Sequence, residues 1–263
     1  MQLVQILRLL WRIIQTYFRF KRNMNAIRSG NGGAESMDAT ITAYKKGDYE
    51  AAFFKTIDPY LKGVTLMQMG QLGGALPLLK HAADTANDPR AGAMANNALG
   101  QLFVEDKQYV GAQECFRTSQ ILWQERGGAD RGMAEMWLRR GENSEEALRL
   151  ARRGLEKERA HPGFSVETKN ASLCEQLGTL AWAVAVEVHD TAEVNRLVSE
   201  GLGLTASNPV SSTALMHLHF GHAYAALGDA EKAVQHYDEA ARIDPKGLAG
   251  RAAAVVMPVP VRP

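Results

Sequence analysis

The sequence predicts an all-α protein made of repeated pairs of helices, that is, an α-solenoid. Composition favours helix, since 46% of the 263 residues are hydrophobic while only 7% are aromatic, and β-branched runs are rare. From Met37 onward, apolar residues recur at helical spacing between short turns, without a convincing alternating strand pattern. In addition, one unit recurs along the chain, which is typical of repeat proteins.

The clearest unit spans residues 214–247 and contains two helices. Gly221 leaves room for the second helix to approach the first, and Tyr224 supplies bulk one turn later on the same face. Gly228 ends the first helix, because glycine adopts a left-handed conformation at the least cost, and Asp229 can cap the next helix. Small and large residues then alternate along the second helix until a proline stops it. Neither helix can bury its apolar stripe alone, so the unit must stack on neighbours.

This order of small, aromatic, small, aromatic, small and proline residues resembles the signature of the tetratricopeptide repeat. The six positions are Gly221, Tyr224, Ala233, Tyr237, Ala240 and Pro245. A second copy consists of Leu99, Gly100, Phe103, Ala112 and Phe116, with Ser119 at the last small position and no proline. A third copy consists of Gly63, Leu66, Gly70, Ala75, Leu79 and Ala82. The resemblance covers residues 37–247 and is weakest in the middle.

Two further units are more divergent, and some loops between units exceed the family period of 34 residues. The first small position of successive units falls at separations of 37, 34, 44 and 43 residues, at Gly63, Gly100, Ala134, Gly178 and Gly221. We interpret the surplus as inserts in loops and not as new domains. The resemblance implies a right-handed α-solenoid of about five to six such units, preceded by an amphipathic N-terminal helix.

Composition divides the chain into five segments. Residues 1–28 are predicted to form a basic amphipathic helix, either on a membrane surface or as a cap on the solenoid. Residues 29–36, with three glycines, are predicted to be a flexible linker. The repeats occupy residues 37–247, and the Ala-rich stretch 248–256 is predicted to be a capping helix. Residues 257–263 are predicted to be a disordered Pro-rich tail, because repeated prolines prevent a helix.

The first 23 residues combine a broad apolar face with a narrow stripe of glutamines and arginines, and no acid precedes Glu35. This pattern favours a helix that lies on an anionic membrane surface. The residues predicted to face the membrane are Leu3, Leu7, Leu10, Trp11, Ile14 and Phe18. A transmembrane span is disfavoured, because Arg8 and Arg12 would lie near mid-bilayer at a cost of roughly 2.5–3.5 kcal/mol each.

Other hypotheses for this segment stay open. As a secretory signal it lacks an uninterrupted apolar core and a clear cleavage site. It can instead cap the solenoid, or act as an organelle presequence, being basic and free of acids. Met24 or Met37 can also be the true start in place of Met1, since the repeats begin at Met37. We expect a cytoplasmic protein, held in the preferred interpretation on the inner surface of the membrane.

Charge and cysteine content restrict the partners. The net charge is +1, but six of the 30 basic residues lie within residues 1–28, which leaves 24 against 29 acidic residues. No global field therefore draws the protein onto nucleic acid. Cys115 and Cys174 lie in helical apolar patterns, which indicates buried thiols in a reducing compartment and not a disulfide.

Known catalytic motifs are missing from the sequence. No phosphate-binding Gly-rich loop, Gly-x-Ser-x-Gly elbow, Cys-x-x-Cys pair or His-Glu-x-x-His helix occurs. We therefore predict a protein that is not an enzyme and that has no catalytic residues, metal or cofactor. The alternative is a metal-binding protein or metal-dependent enzyme centred on four histidines near the C-terminus. Among these, His219 and His222 share one helix face, so a metal could bridge them; the others are His217 and His236.

An RNA-binding helical repeat is a further alternative. The charged segment Ser144–Ala160 carries five basic residues, namely Arg149, Arg152, Arg153, Lys157 and Arg159. Acids lead and bases follow, as the helix dipole prefers, and no aromatic residue is interleaved for base stacking. A solvated helix face is the simpler interpretation. A self-assembling structural array is the remaining hypothesis.

The preferred function is a scaffold or adaptor that binds a peptide or helix of a partner protein. In tetratricopeptide arrays the first helices line a concave groove that takes such segments, and the resemblance carries this role to the matching positions. These are Asn97, Gln101, Arg131, Glu135, Arg139, Gln176, Thr179, Trp182, His219 and His222.

One partner known for the family is not expected here. Co-chaperone members clamp a C-terminal carboxylate with a Lys and an Asn four residues apart, then an Asn, then a Lys and an Arg. The matching positions in this sequence are Tyr60, Val64, Asn97, Arg131 and Glu135. The clamp is incomplete, which argues against binding of a chaperone tail.

The membrane hypothesis predicts that anionic lipid vesicles bind the full-length chain and not a version that starts at Met37. Residues 1–23 supply both the apolar burial and the arginines that meet the headgroups. Co-sedimentation measures binding, with neutral vesicles as the control. Equal sedimentation of the two versions would contradict the hypothesis.

Overall fold

In several units, a glycine on the first helix lies directly against a side chain of the second helix. In the computed structural model of the protein, a Cβ atom at Gly100 would lie 2.5 Å from Cε1 of Phe116, and one at Gly221 would collide in the same way with the ring of Tyr237. Both rings are buried. Glycine on the first helix therefore lets an aromatic ring of the second helix lie directly against its backbone.

The structure describes residues 34–162, 165–205 and 208–256, and this part consists of helices and their connections, without a strand. It contains 13 helices. They are α1 (Ala34–Lys45), α2 (Tyr49–Lys55), α3 (Pro59–Gln68), α4 (Leu72–Asp84), α5 (Pro89–Glu105), α6 (Tyr109–Leu122), α7 (Gly128–Arg140), α8 (Ser144–Ala160), α9 (Val166–Glu187), α10 (Thr191–Leu202), α11 (Val210–Ala226), α12 (Ala230–Ile243) and α13 (Leu248–Val256). The predicted all-α helical repeat solenoid is confirmed.

Polar side chains and special residues set the helix ends. Side-chain oxygens cap the first turns of α3, α5, α9, α10 and α12, from Asp58, Asp88, Ser165, Asp190 and Asp229 respectively. Gly228 follows α11 with a φ of +79°, which glycine adopts without strain. Pro245 lies two residues beyond the end of α12.

The helices form two layers. The odd-numbered helices from α3 to α13 contact one another in succession and form an inner layer, while the even-numbered helices from α4 to α12 pack on them from outside. Buried apolar side chains between the layers form two clusters. One surrounds Leu79 and Leu99, and the larger one extends from Val104 to Ala253. Stacking thus buries the stripes that single helix pairs would leave exposed.

The structure differs from the sequence prediction at the start of the repeats. Helix α1 begins at Ala34, inside the segment 29–36 that was predicted to be a linker. The glycines that favour a turn end at Gly33, and the residues after it tolerate helix. The predicted N-terminal amphipathic helix, including its membrane-facing residues, lies outside the described residues, and so does the Pro-rich tail.

The two ends of the described chain meet. The hydroxyl of Tyr49 donates a hydrogen bond of 2.5 Å to Oδ2 of Asp244, and both residues are buried. The backbone N–H of Leu248 donates to Oε1 of Gln68 at 3.2 Å. These pairs are separated by 195 and 180 residues in sequence. The last helices therefore lie against the first ones.

An ion pair between α1 and α9, in the middle of the solenoid, adds to this closure contact. Nζ of Lys45 lies 2.7 Å from Oε2 of Glu167, with side chains 41% and 50% exposed, so the pair contributes at most about 1 kcal/mol. A neutral hydrogen bond adds about 1 kcal/mol net. The closure contact consists of Lys45, Tyr49, Gln68, Glu167, Asp244 and Leu248. Leu248 also packs against the apolar cluster around Leu79 and Leu99, so the contact combines polar pairs with apolar burial.

Replacing Gly221 by Ala is expected to lower the free energy of unfolding by about 1–3 kcal/mol, because the added methyl group meets the ring of Tyr237. Gly73→Ala is the matched control. No atom lies within 4 Å of a Cβ at Gly73 in α4, so this change is expected to be neutral or stabilising by up to about 1 kcal/mol. Urea unfolding midpoints measure both, and equal effects would contradict the close-approach argument.

Candidate partner-binding site

The inner layer surrounds a cavity of about 420 Å³. Side chains from every odd-numbered helix, α1 to α13, line it. Tyr44 and Tyr60 come from the N-terminal helices, while Leu215 and Leu248 come from the C-terminal ones. Because the closure contact joins these two ends, helices border the concave surface on all sides, and the cavity is partly open to solvent. Its volume lies in the range of small ligand sites, roughly 300–1,000 Å³.

One side of the cavity is polar, because three inner helices repeat polar residues once per turn. These residues, which we call the polar wall, are Asn97, Gln101 and Glu105 on α5, Arg131, Glu135 and Arg139 on α7, and Thr168, Ser172 and Glu175 on α9. Residues four apart share one face of a helix. Eight residues of helix rise about 12 Å, which gives the length of the wall.

The charged residues of the polar wall pair with one another. Oε2 of Glu135 lies 3.1 Å from Nη1 of Arg131, and Oε1 of Glu135 lies 2.7 Å from Nη2 of Arg139. Arg139 also lies 2.9 Å from Glu105, and Arg131 lies 3.3 Å from Glu175. This network links α5, α7 and α9 and holds their side chains in fixed positions. The wall is therefore preorganised and close to neutral.

Glu135 is the centre of this network. Its side chain is buried, and burial alone would raise the pKa of its carboxyl group. Arg139, His219 and Arg131 outweigh this effect and hold the pKa of Glu135 well below its usual range. Glu135 is therefore an ionised acceptor at neutral pH.

Four of the predicted residues on α9 and α11 lie behind the polar wall. Nε2 of His219 lies 3.6 Å from Oε1 of Glu135, and its Nδ1 lies 3.2 Å from Oγ1 of Thr179. The ring of Trp182 lies 5.4 Å from that of His219 and 4.5 Å from that of His222, between centroids. His219 contacts Glu135, Thr179 and Trp182 contact His219, and none of these four residues lines the cavity.

Gln176, the remaining predicted residue on α9, lies away from these four residues. It is only 1% exposed, and its amide packs between two backbones. A Cβ atom at Gly127 would lie 2.8 Å from Nε2 of Gln176, and one at Gly154 would lie 2.7 Å from Oε1. Five of the ten predicted groove residues therefore line the cavity, namely Asn97, Gln101, Arg131, Glu135 and Arg139.

Several cavity residues were missed by the sequence reasoning. Glu105 lies four residues beyond Gln101, so the same helical spacing could have found it. Glu175 lies one residue before the predicted position on α9, a small error in rotation about the helix axis. Tyr44 and Leu248 come from opposite ends of the chain, and no local pattern relates them.

The histidines that suggested a metal site contact other protein groups. Nδ1 of His217 lies 3.0 Å from Nδ1 of His236, and Nδ1 of His222 lies 2.9 Å from the hydroxyl of Tyr237. Burial, aided by His219, lowers the pKa of His222 to about 3. Burial, aided by His217, lowers the pKa of His236 to about 4. Within residues 34–162, 165–205 and 208–256, no group of three His, Cys, Asp or Glu side chains could hold a metal ion.

The basic helix α8 is largely paired with acids. Four of its five basic side chains meet carboxylates: Arg149 meets Glu146, Arg153 and Lys157 meet Asp130, and Arg159 meets Glu200. Pairing of this kind leaves little free charge for a phosphate backbone.

Comparison with known families identifies a repeat near the end of the described chain. A model of the tetratricopeptide repeat matches residues 214–246, the part of α11 and α12 that contains the Gly221–Tyr237 contact. The chain is therefore a tetratricopeptide-repeat-containing protein. A repeat of this kind indicates a role in protein–protein interaction, and the family generally consists of non-enzymatic interaction scaffolds.

No curated protein sequence gives a significant match to the chain. A search of the described helices for one long and apolar enough to cross a membrane found none.

Lowering the pH from 7 to 5 is expected to destabilise the protein. Histidines of the unfolded chain, with a pKa near 6.5, take up protons in this range, whereas folded His222 and His236 do not. Their contribution is present above pH 6.5 and is lost as the pH falls towards the folded pKa values, by about 2 kcal/mol per histidine at pH 5. Urea midpoints at the two pH values measure the loss.

In the same experiment His236→Gln should show a smaller pH dependence than the unmodified protein. His81→Gln, a change of an exposed histidine on α4, serves as the control and should keep the full dependence. An equal dependence in both variants would contradict the assignment to His236.

Proposed function

We propose that this protein is an interaction scaffold that binds a short, extended and uncharged segment of a partner protein inside the cavity. One observation supports this proposal most. The preorganised polar wall and the apolar side chains of α3, α11 and α13 line the same cavity. Such a surface can bond a peptide backbone on one side and bury a side chain on the other.

The dimensions favour an extended segment over a helix. A helix with side chains is at least about 10 Å across. The cavity, at about 420 Å³, is near the lower end of the range of ligand sites. A wall of about 12 Å matches three to four residues of extended chain at about 3.3 Å each.

The groups on the wall suit a peptide backbone. Asn97 lines the cavity, and its side-chain amide can donate to and accept from a peptide backbone. Gln101 offers a second amide one turn further along α5. Burial, with the charges of Glu175 and Asp58, raises the pKa of Tyr60 to about 12, so its hydroxyl remains a donor for a backbone carbonyl.

The charges and apolar side chains of the cavity further restrict which segments it can bind. The arginines and carboxylates of the wall already satisfy one another, which disfavours a strongly charged segment. Leu61, Val64, Leu215, Leu218 and Leu248 line the cavity and would bury an aliphatic side chain. Burial of one such side chain contributes about 1.5–3 kcal/mol.

A second part of the proposal concerns location. We propose that residues 1–23 hold the scaffold on an anionic membrane surface on the cytoplasmic side. Support comes from the sequence alone, through the apolar face and the arginines of this segment. The segment lies outside the described residues.

The proposed binding of a peptide in the cavity is tested by selecting peptides that bind the protein from a displayed random library. Affinities of selected peptides are then measured by fluorescence anisotropy. Asn97→Ala combined with Gln101→Ala is expected to weaken binding by about tenfold or more, because backbone groups of the peptide lose their partners.

The matched control replaces two exposed amides away from the cavity, Gln124→Ala and Gln235→Ala, and should bind as the unmodified protein does. The proposal fails if no peptide is selected, or if the two double variants bind equally well.

A further inference from the structure

The closure contact joins two walls of the cavity. The N-terminal wall includes Tyr44 and Tyr60, and the C-terminal wall includes Leu215 and Leu248. The cavity is partly open, and separation of these walls would widen its entrance for a segment within a longer chain.

We propose that the closure contact is a gate, in which α1 and α2 leave the C-terminal helices to admit a partner segment and return to enclose it. This inference rests on the proposed function and concerns the regulation of the same cavity. The gate is held by the Tyr49–Asp244 and Lys45–Glu167 pairs and by the Leu248–Gln68 hydrogen bond.

Each end of the described chain packs mainly on its own neighbours. Helices α1 and α2 join the rest of the solenoid through α3, and α13 packs on α11 and α12. Between the ends, Tyr49 bonds to Asp244, the backbone N–H of Leu248 bonds to Gln68, and the side chain of Leu248 packs against the N-terminal apolar cluster. Gly47, with a φ of +75°, lets the turn between α1 and α2 approach Val210, since a Cβ there would lie 3.0 Å from Cγ2 of that residue.

Asp244 has partners in both the closed and the open position. Its Oδ1 accepts from the backbone N–H of Gly247 at 3.0 Å, within the same turn, while Oδ2 accepts from Tyr49. Release of Tyr49 therefore leaves the carboxyl group hydrogen-bonded on one side and hydrated on the other. Burial raises the pKa of Asp244, so the closed state keeps this group from water at a cost that opening removes.

The gate is tested by measuring the distance between the two ends. Spin labels are placed on exposed positions of α1 and α12 through Thr42→Cys and Asp238→Cys, with Cys115→Ser. Cys174 is fully buried, and burial raises the pKa of its thiol to about 12, so it does not compete for label. Pulsed electron paramagnetic resonance then gives the distance distribution.

Lys45→Gln combined with Tyr49→Phe removes the ion pair and the hydroxyl of the closure contact. We expect a second, longer distance to appear or to gain population. The matched control, Lys232→Gln with Tyr224→Phe, removes an ion pair with Asp229 and a tyrosine hydrogen bond to Asn195, neither of which joins the ends. It should keep the distribution of the unmodified protein. Identical distributions in all three proteins would overturn the gate.

A second arm uses a peptide from the library selection, fused within a folded carrier protein. Cysteines at positions 45 and 167 are joined by a bis-maleimide that contains a reducible disulfide. We expect the carrier-fused peptide to associate at least tenfold more slowly with the cross-linked protein than with the uncrosslinked one. The association rate should recover when the disulfide of the cross-link is reduced. Equal rates before and after reduction would overturn the gate while leaving the proposed function intact. If no peptide binds any variant, the proposed function fails, and the distance distributions still decide the gate.

Discussion

A helix pair in this protein cannot bury its own apolar stripe, so each pair must lie on the next one. Glycine at the contact point sets how closely the pair packs: Phe116 and Tyr237 reach the core only because Gly100 and Gly221 carry no side chain. Succession of such pairs produces two layers. One consequence is that the first helices of the units face inward together, so polar residues repeated along them gather on one surface.

The polar wall shows how a buried charge becomes compatible with this packing. Glu135 lies between Arg131 and Arg139, and His219 and Trp182 close the space behind it. A buried ion network adds little to stability compared with apolar packing, but removal of one member leaves the others unpaired at a large cost. Its value here is positional, because it fixes the side chains that border the cavity before any partner arrives.

Local signals predicted the local structure well. The glycine, tyrosine and proline positions of residues 214–247 located α11 and α12, and the positions carried over from the repeat family include Asn97, Gln101 and three residues of α7 that share one surface. Rotation about a helix axis was harder to predict, since Gln176 and Glu175 are neighbours and only one lines the cavity. The closure contact could not be predicted from local sequence patterns, because Tyr49 and Asp244 are 195 residues apart.

The closure contact also changes how the solenoid behaves as a chain of repeats. In an open array each unit is held only by its neighbours, and the terminal units fray because each has one neighbour instead of two. Here the first and last units hold each other, so neither is a true end. Loss of order in α1 and α2 therefore exposes α13 as well. In an open array the free energy of unfolding is a sum of contributions from neighbouring units, whereas here it also includes a contact between the two ends of the described chain.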